Sequence, residues 1–153
     1  MLGRTRGRML ASTPRSAIAA SVLVLSGCGV GTGTLRIADA QDEIVAIAAD
    51  VLVAAGLEPA SPVQAGPLEQ CALRNGGAGL RTRVEVRAPL SGGTEALAAA
   101  FDAAAAVLVT RGLVLVESGV PGTLLGQRDG VTVTIGSDGD DLELDAITGC
   151  RPR

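Results

Sequence analysis

Three cysteines, a run of acids near the C-terminus and three spaced arginines are the residues of this chain that could do chemistry. Cys28 closes the string Leu25-Ser26-Gly27-Cys28, whose small side chains leave the thiol open to modification. Asp138, Asp140, Asp141, Glu143 and Asp145 invite a calcium reading, but their order does not match the EF-hand loop with its glycine and terminal glutamate. Arg81, Arg83 and Arg87 fall on one side of an alternating segment and form a cationic stripe. What is missing narrows the list further. There is no His, which removes the usual general base and the usual zinc or copper ligand. There is no Lys, so no Ser-x-x-Lys nucleophile exists. Phe101 is the sole aromatic residue, so stacking platforms for bases, sugars and flat cofactors are not available. A paired-carboxylate hydrolase would lack its aromatic sugar contacts. The expectation is a non-enzymatic protein without cofactor or metal.

The segments that place these residues begin with a leader. Arg4, Arg6, Arg8 and Arg15 precede the apolar run 17–25, and no acid occurs before Cys28. A basic head, a short apolar stretch and a small-residue site form the layout of a secretory signal. The run meets Gly27, Gly29, Gly31 and Gly33 well short of the ~20 apolar residues needed to span a bilayer. No adjacent arginines occur in the leader, so the general secretory route is expected.

Placed after that leader, Leu25-Ser26-Gly27-Cys28 resembles the lipobox of bacterial lipoproteins. The resemblance implies a diacylglycerol on Cys28 with acyl chains of the palmitate kind, cleavage between Gly27 and Cys28, and residence at the outer face of the cytoplasmic membrane. Two acyl chains, at about 0.8 kcal/mol per buried CH₂, make a stable anchor where one is marginal. The chain then divides into a signal peptide (1–27), a lipidated cysteine with a Gly/Thr tether (28–37) and one domain (38–153). With Cys28 taken by lipid, as the resemblance implies, Cys71 and Cys150 remain as an even pair in an oxidising compartment. A disulfide between them is the expectation.

Cleavage leaves 126 of 153 residues, enough for one domain. The leader holds four of the thirteen basic residues and none of the sixteen acids, so the mature chain carries nine against sixteen, a net −7. That balance argues against nucleic acid and against a polybasic membrane contact. The all-arginine, Ala/Gly/Val-rich composition matches high-GC coding and predicts an actinobacterial source.

Within the domain, apolar spacing predicts a helix over 40–55, capped by Asp39 and stopped at Gly56. Residues 57–80, with three prolines and four glycines, read as a loop holding Cys71. Strands are expected over 81–88, 113–117, 123–128, 131–135 and 141–147, with a second helix over 95–111. Asp129-Gly130 marks a tight hairpin, and residues 136–139 a further turn. The helix between the strands at 81–88 and 113–117 suggests a right-handed crossover, should those strands be parallel neighbours. The sum is an α+β domain: a mainly antiparallel sheet of four to five strands, the second helix on one face and the first beside it. The arginines are expected to pair with acids on a neighbouring strand, with partner binding as the sharper alternative. Two roles fit: a lipid-tethered accessory module that binds an envelope protein, or a carrier for a lipid or other apolar molecule.

Overall fold

Ile44, Ile47, Ala48, Val51 and Leu52 recur at helical spacing, and all are buried along α1, Ile37–Ala54. The computed structural model describes residues 36–152. The leader, the Leu25–Cys28 string and the tether as far as residue 35 lie outside the described residues. α1 starts three residues earlier than the spacing predicts. Its N-cap is Arg36, which makes no side-chain cap bond, and Asp39 sits inside the first turn. The apolar face extends back to the fully buried Ala40, so burial outweighs the cap preference of Asp39. At the other end Leu57 N–H donates to the Leu52 carbonyl (2.9 Å) and Gly56 N–H to that of Val53 (3.1 Å). This is a Schellman motif, with Gly56 in the left-handed region that a β-carbon disfavours.

The segment read as a loop contains a hairpin. β1 (Glu69–Ala72) pairs antiparallel with β2 (Ala78–Arg81) around the turn at Asn75-Gly76-Gly77. The strands were hidden because each is four residues long and carries no alternating apolar pattern. Arg81 and the alternating stretch after it do not form one strand. Thr82 is buried, and its N–H donates to Thr148 Oγ1 (2.9 Å), while its own Oγ1 donates to the Gly66 carbonyl (3.0 Å). The ladder breaks at that residue, and β3 runs from Arg83 to Pro89.

β3 is followed by α2 (Gly93–Thr110), β4 (Val114–Val116), β5 (Leu124–Arg128), β6 (Val131–Asp138) and β7 (Asp141–Thr148). The main sheet is fully antiparallel in the order β3-β7-β6-β5-β4. β3 and β4 are therefore opposite edges rather than neighbours, and the connection containing α2 carries the chain from one edge to the other. Asp129 and Gly130 both take positive φ, giving the two-residue turn their types predict. β6 continues through residues 136–138, and the turn falls at 139–140 instead. Gly139 supplies the positive φ there, and the pairs Gly136–Glu143 to Asp138–Asp141 lengthen the ladder.

Both helices pack on the same face of this sheet, α1 over β3 and β7 and α2 over β4 and β5. The first helix is not a side element: it buries six residues against three from α2. α2 is alanine-rich and comes close to the sheet, where Leu108 and Leu113 meet Gly126 of β5. The core is one continuous cluster of aliphatic side chains from α1, α2, β3, β6 and β7.

The small hairpin is held to the C-terminal segment. Cys71 is bonded to Cys150 with a Cα–Cα distance of 5.8 Å. Leu80 and Arg151 exchange two backbone bonds of 2.8 Å. Gly79 lies opposite Cys71, and a β-carbon there would come within 2.5 Å of Cys150 Sγ and 2.7 Å of the Arg151 carbonyl. Gly79→Ala is expected to cost about 1–3 kcal/mol by overpacking. A denaturation midpoint equal to that of the parent chain would refute the close fit.

Candidate functional site

With helices on one face only, the other face of the five-stranded sheet is left open, and alternation decides what it carries. Register places Val116, Leu125, Thr134, Asp145 and Glu85 in one row across the strands. Val114, Gln127, Thr132, Ile147 and Arg83 form the next row. The face is thus apolar toward β4 and ionic toward β3 and β7.

The ionic half pairs internally. Arg83 donates to Asp145 (2.9 Å) and also meets Glu85 (2.9 Å). Arg87 binds Glu143 and lies 3.6 Å from Asp138. Two of the three sequence-predicted arginines therefore share a charge ladder with the acids of β7 and the end of β6. Arg81 does not join them. It sits in the small sheet and pairs with Glu69 (2.9 Å), because the break at Thr82 moves it to another ladder. All these groups are well exposed, so each pair contributes roughly 0–1 kcal/mol. The hydrogen bond to Asp145, then the charges of Asp145 and Glu85, raise the Arg83 pKa above its ordinary value. Its contribution is present below the unfolded pKa and lost only as pH rises through the folded one, so Arg83 stays charged across the physiological range.

Residues between β4 and β5 rise over this face. Ser118 Oγ accepts from Val120 N–H (3.0 Å) and donates to the Val120 carbonyl (2.8 Å), holding a tight turn. Val120 is 64% exposed as a result. Val120 and Pro121 wall a groove of about 650 Å³ whose floor includes Glu85, Arg87, Glu143 and Asp145. The turn residues were legible in sequence, but nothing there showed that they stand over the charge ladder. Of the remaining candidates, Cys71 and Cys150 are joined, and Cys28 lies outside the described residues. Among the described residues no group of three or more His, Cys, Asp or Glu is placed to hold a metal ion.

No family model matches the chain, and no curated protein matches it. Among solved structures it is similar to a DUF4853 family protein from Actinomyces odontolyticus ATCC 17982. The two share 15% identity and a TM-score of 0.49, over 76% of this chain and 67% of that one.

Proposed function

We propose that this is a lipoprotein of the cell envelope, tethered through Cys28 and acting as a non-catalytic module that docks another envelope protein. The observation that carries the reading is the open sheet face. A groove that combines an apolar wall with a charge ladder suits an extended polypeptide carrying apolar and charged side chains. Arg87 lines the groove beside Glu143 and Asp145, and the strand register sets this charge pattern, which serves specificity more than affinity.

The test combines two variants of the full chain in its host. Cys28→Ala should leave the protein released or uncleaved, and unchanged membrane attachment would remove the anchor from the reading. Arg87→Glu with Val120→Asp should keep the protein folded and membrane-bound but lose the partners captured by cross-linking. An identical set of captured proteins would show that the groove is not the docking face.

A second reading, a carrier of an apolar molecule, draws support from a cleft of about 470 Å³ where α1 ends and α2 begins. Ala55, Leu57, Leu90, Ala96 and Ala100 line it together with the polar Glu58 and Ser91, and its volume falls within the range of small-ligand sites. A stoichiometric apolar adduct in native mass spectrometry of the purified protein would favour that role over docking.

A further inference from the structure

The two edges of the main sheet are treated differently. Along β3 the proline-containing segment 57–68 lies against the edge. Ala60 N–H donates to the Arg87 carbonyl (3.0 Å) and Gly66 N–H to that of Arg83 (2.7 Å). Proline at 59, 62 and 67 supplies no donor, so this cover satisfies β3 without offering a new edge of its own. At the other end β4 closes the sheet, with no strand beyond it among the described residues. Its three-residue length is the one device that limits pairing there; Val114-Leu115-Val116 carries no charge, no proline and no bulge. Val114 is 66% exposed and Leu115 38%.

The surroundings of this edge are largely apolar, with Gln127 beside Val114 on the open face. Below it lie Val116 and Leu125. Above it, α2 turns one flank toward α1, where Ala103, Ala106 and Val107 line a shared cleft. At about 3.6 residues per turn the opposite flank, on the side away from α1, carries Phe101, Ala105 and Val109. The only aromatic side chain of the protein is on that flank, half-buried, and Val109 is 58% exposed.

We propose that β4 pairs antiparallel with β4 of a second copy of this chain, joining two five-stranded sheets into one about a two-fold axis. Three features select a second copy as the occupant. The strand is neutral and self-complementary: centred on Leu115, the pairing sets Val114 against Val116 of the second copy and Leu113 against Glu117, with no like charges opposed. The flanks of the two α2 helices then meet above the joined sheet. The axis of such a pair is normal to the sheet, so both helix layers stay on one side. The described residues of both copies begin in that layer at Arg36, so two chains anchored through Cys28 would start from the same side of the joined sheet. This last point rests on the anchoring proposed above. Confinement in one membrane raises the effective concentration and lets a three-residue pairing suffice.

The test is thiol cross-linking of the full chain in its own membranes. Leu115→Cys with a short bismaleimide should give a product of twice the chain mass. Ser61→Cys, on the covered β3 edge, should give none. Val114→Lys added to Leu115→Cys should cut the product roughly tenfold or more, since a lysine on an edge strand opposes pairing. The proposal is overturned if no product forms at Leu115→Cys while circular dichroism stays native, or if Ser61→Cys reacts as well. It is equally overturned if the product has the mass of one copy plus a different protein, or is indifferent to Val114→Lys. Repeating the experiment with Cys28→Ala separates the two ideas. A chain that stays on the membrane undermines the anchor alone, and the pattern at residues 115 and 61 still decides the edge.

Discussion

Removing the Cys71–Cys150 bond, by reductant or by replacing both cysteines with alanine, is expected to destabilise the protein by up to about 4.5 kcal/mol. That figure is the chain-entropy value for the loop closed by residues 79 apart. It is a large share of the ~5–15 kcal/mol that holds a domain together. The loss should fall first on the β1–β2 hairpin. Neither strand contributes a residue to the core cluster, and β1 shows no buried residue at all. Apart from the disulfide, the hairpin is held by the Leu80–Arg151 bonds and the exposed Arg81–Glu69 pair. A two-stranded hairpin with so little packing is marginal in water. Guanidinium unfolding followed by far-ultraviolet circular dichroism, with and without reductant, measures the total; there is no Trp or Tyr to report by fluorescence. Hydrogen exchange should show amides of residues 69–81 losing protection before those of β6 and β7. A shift below about 1 kcal/mol, with the hairpin still protected, would mean that the bond is incidental to stability.

Leu108→Ala carries the next largest expected effect, about 2–5 kcal/mol, the range for deleting a fully buried leucine. The upper half of that range is the expectation here. Leu108 fills the space over Gly126, and glycine has no side chain to relax into the cavity. Its carbonyl also receives the Leu113 N–H (2.9 Å) that ends α2, so the cavity would open beside the helix's last turn. The check is a double-mutant cycle. Gly126→Ala alone should destabilise, because its β-carbon would lie 3.0 Å from Leu108 Cδ1. Combined with Leu108→Ala it should cost less than the sum, since the new methyl enters the vacated space. Strict additivity would show that helix and sheet do not meet at this point. Val53→Ala, at a site 79% exposed, should stay within about 0.5 kcal/mol and serves as the control.

Much of the fold was legible in local pattern. The period of α1, the alternation of β3, β6 and β7, the glycines after both helices and the Asp129-Gly130 turn follow from nearest-neighbour physics. Each depends on residues within one or two turns of chain. The disulfide was expected from the cysteine count and the resemblance of Leu25–Cys28 to a lipobox. The pairing of Arg83 and Arg87 with the acids of β7 followed from the opposite charges of two alternating strands.

What stayed hidden shares one physical cause: it depends on partners far away in sequence. Thr82 looks like any inward residue of a strand until Thr148 and Gly66 take its hydrogen bonds and split the ladder. The β1–β2 hairpin has no apolar rhythm because a covalent bond and the C-terminal segment hold it in place of a core. Strand order is likewise silent in sequence. α2 joins two strands that lie at opposite edges, because β5, β6 and β7 pair between them. By itself, then, the sequence determined most of the elements, the charge pattern and the two cysteines of the disulfide. The tertiary structure decided which sheet face is covered, which edge is guarded and where Val120 meets the ladder, because burial and pairing are set between segments and not within them.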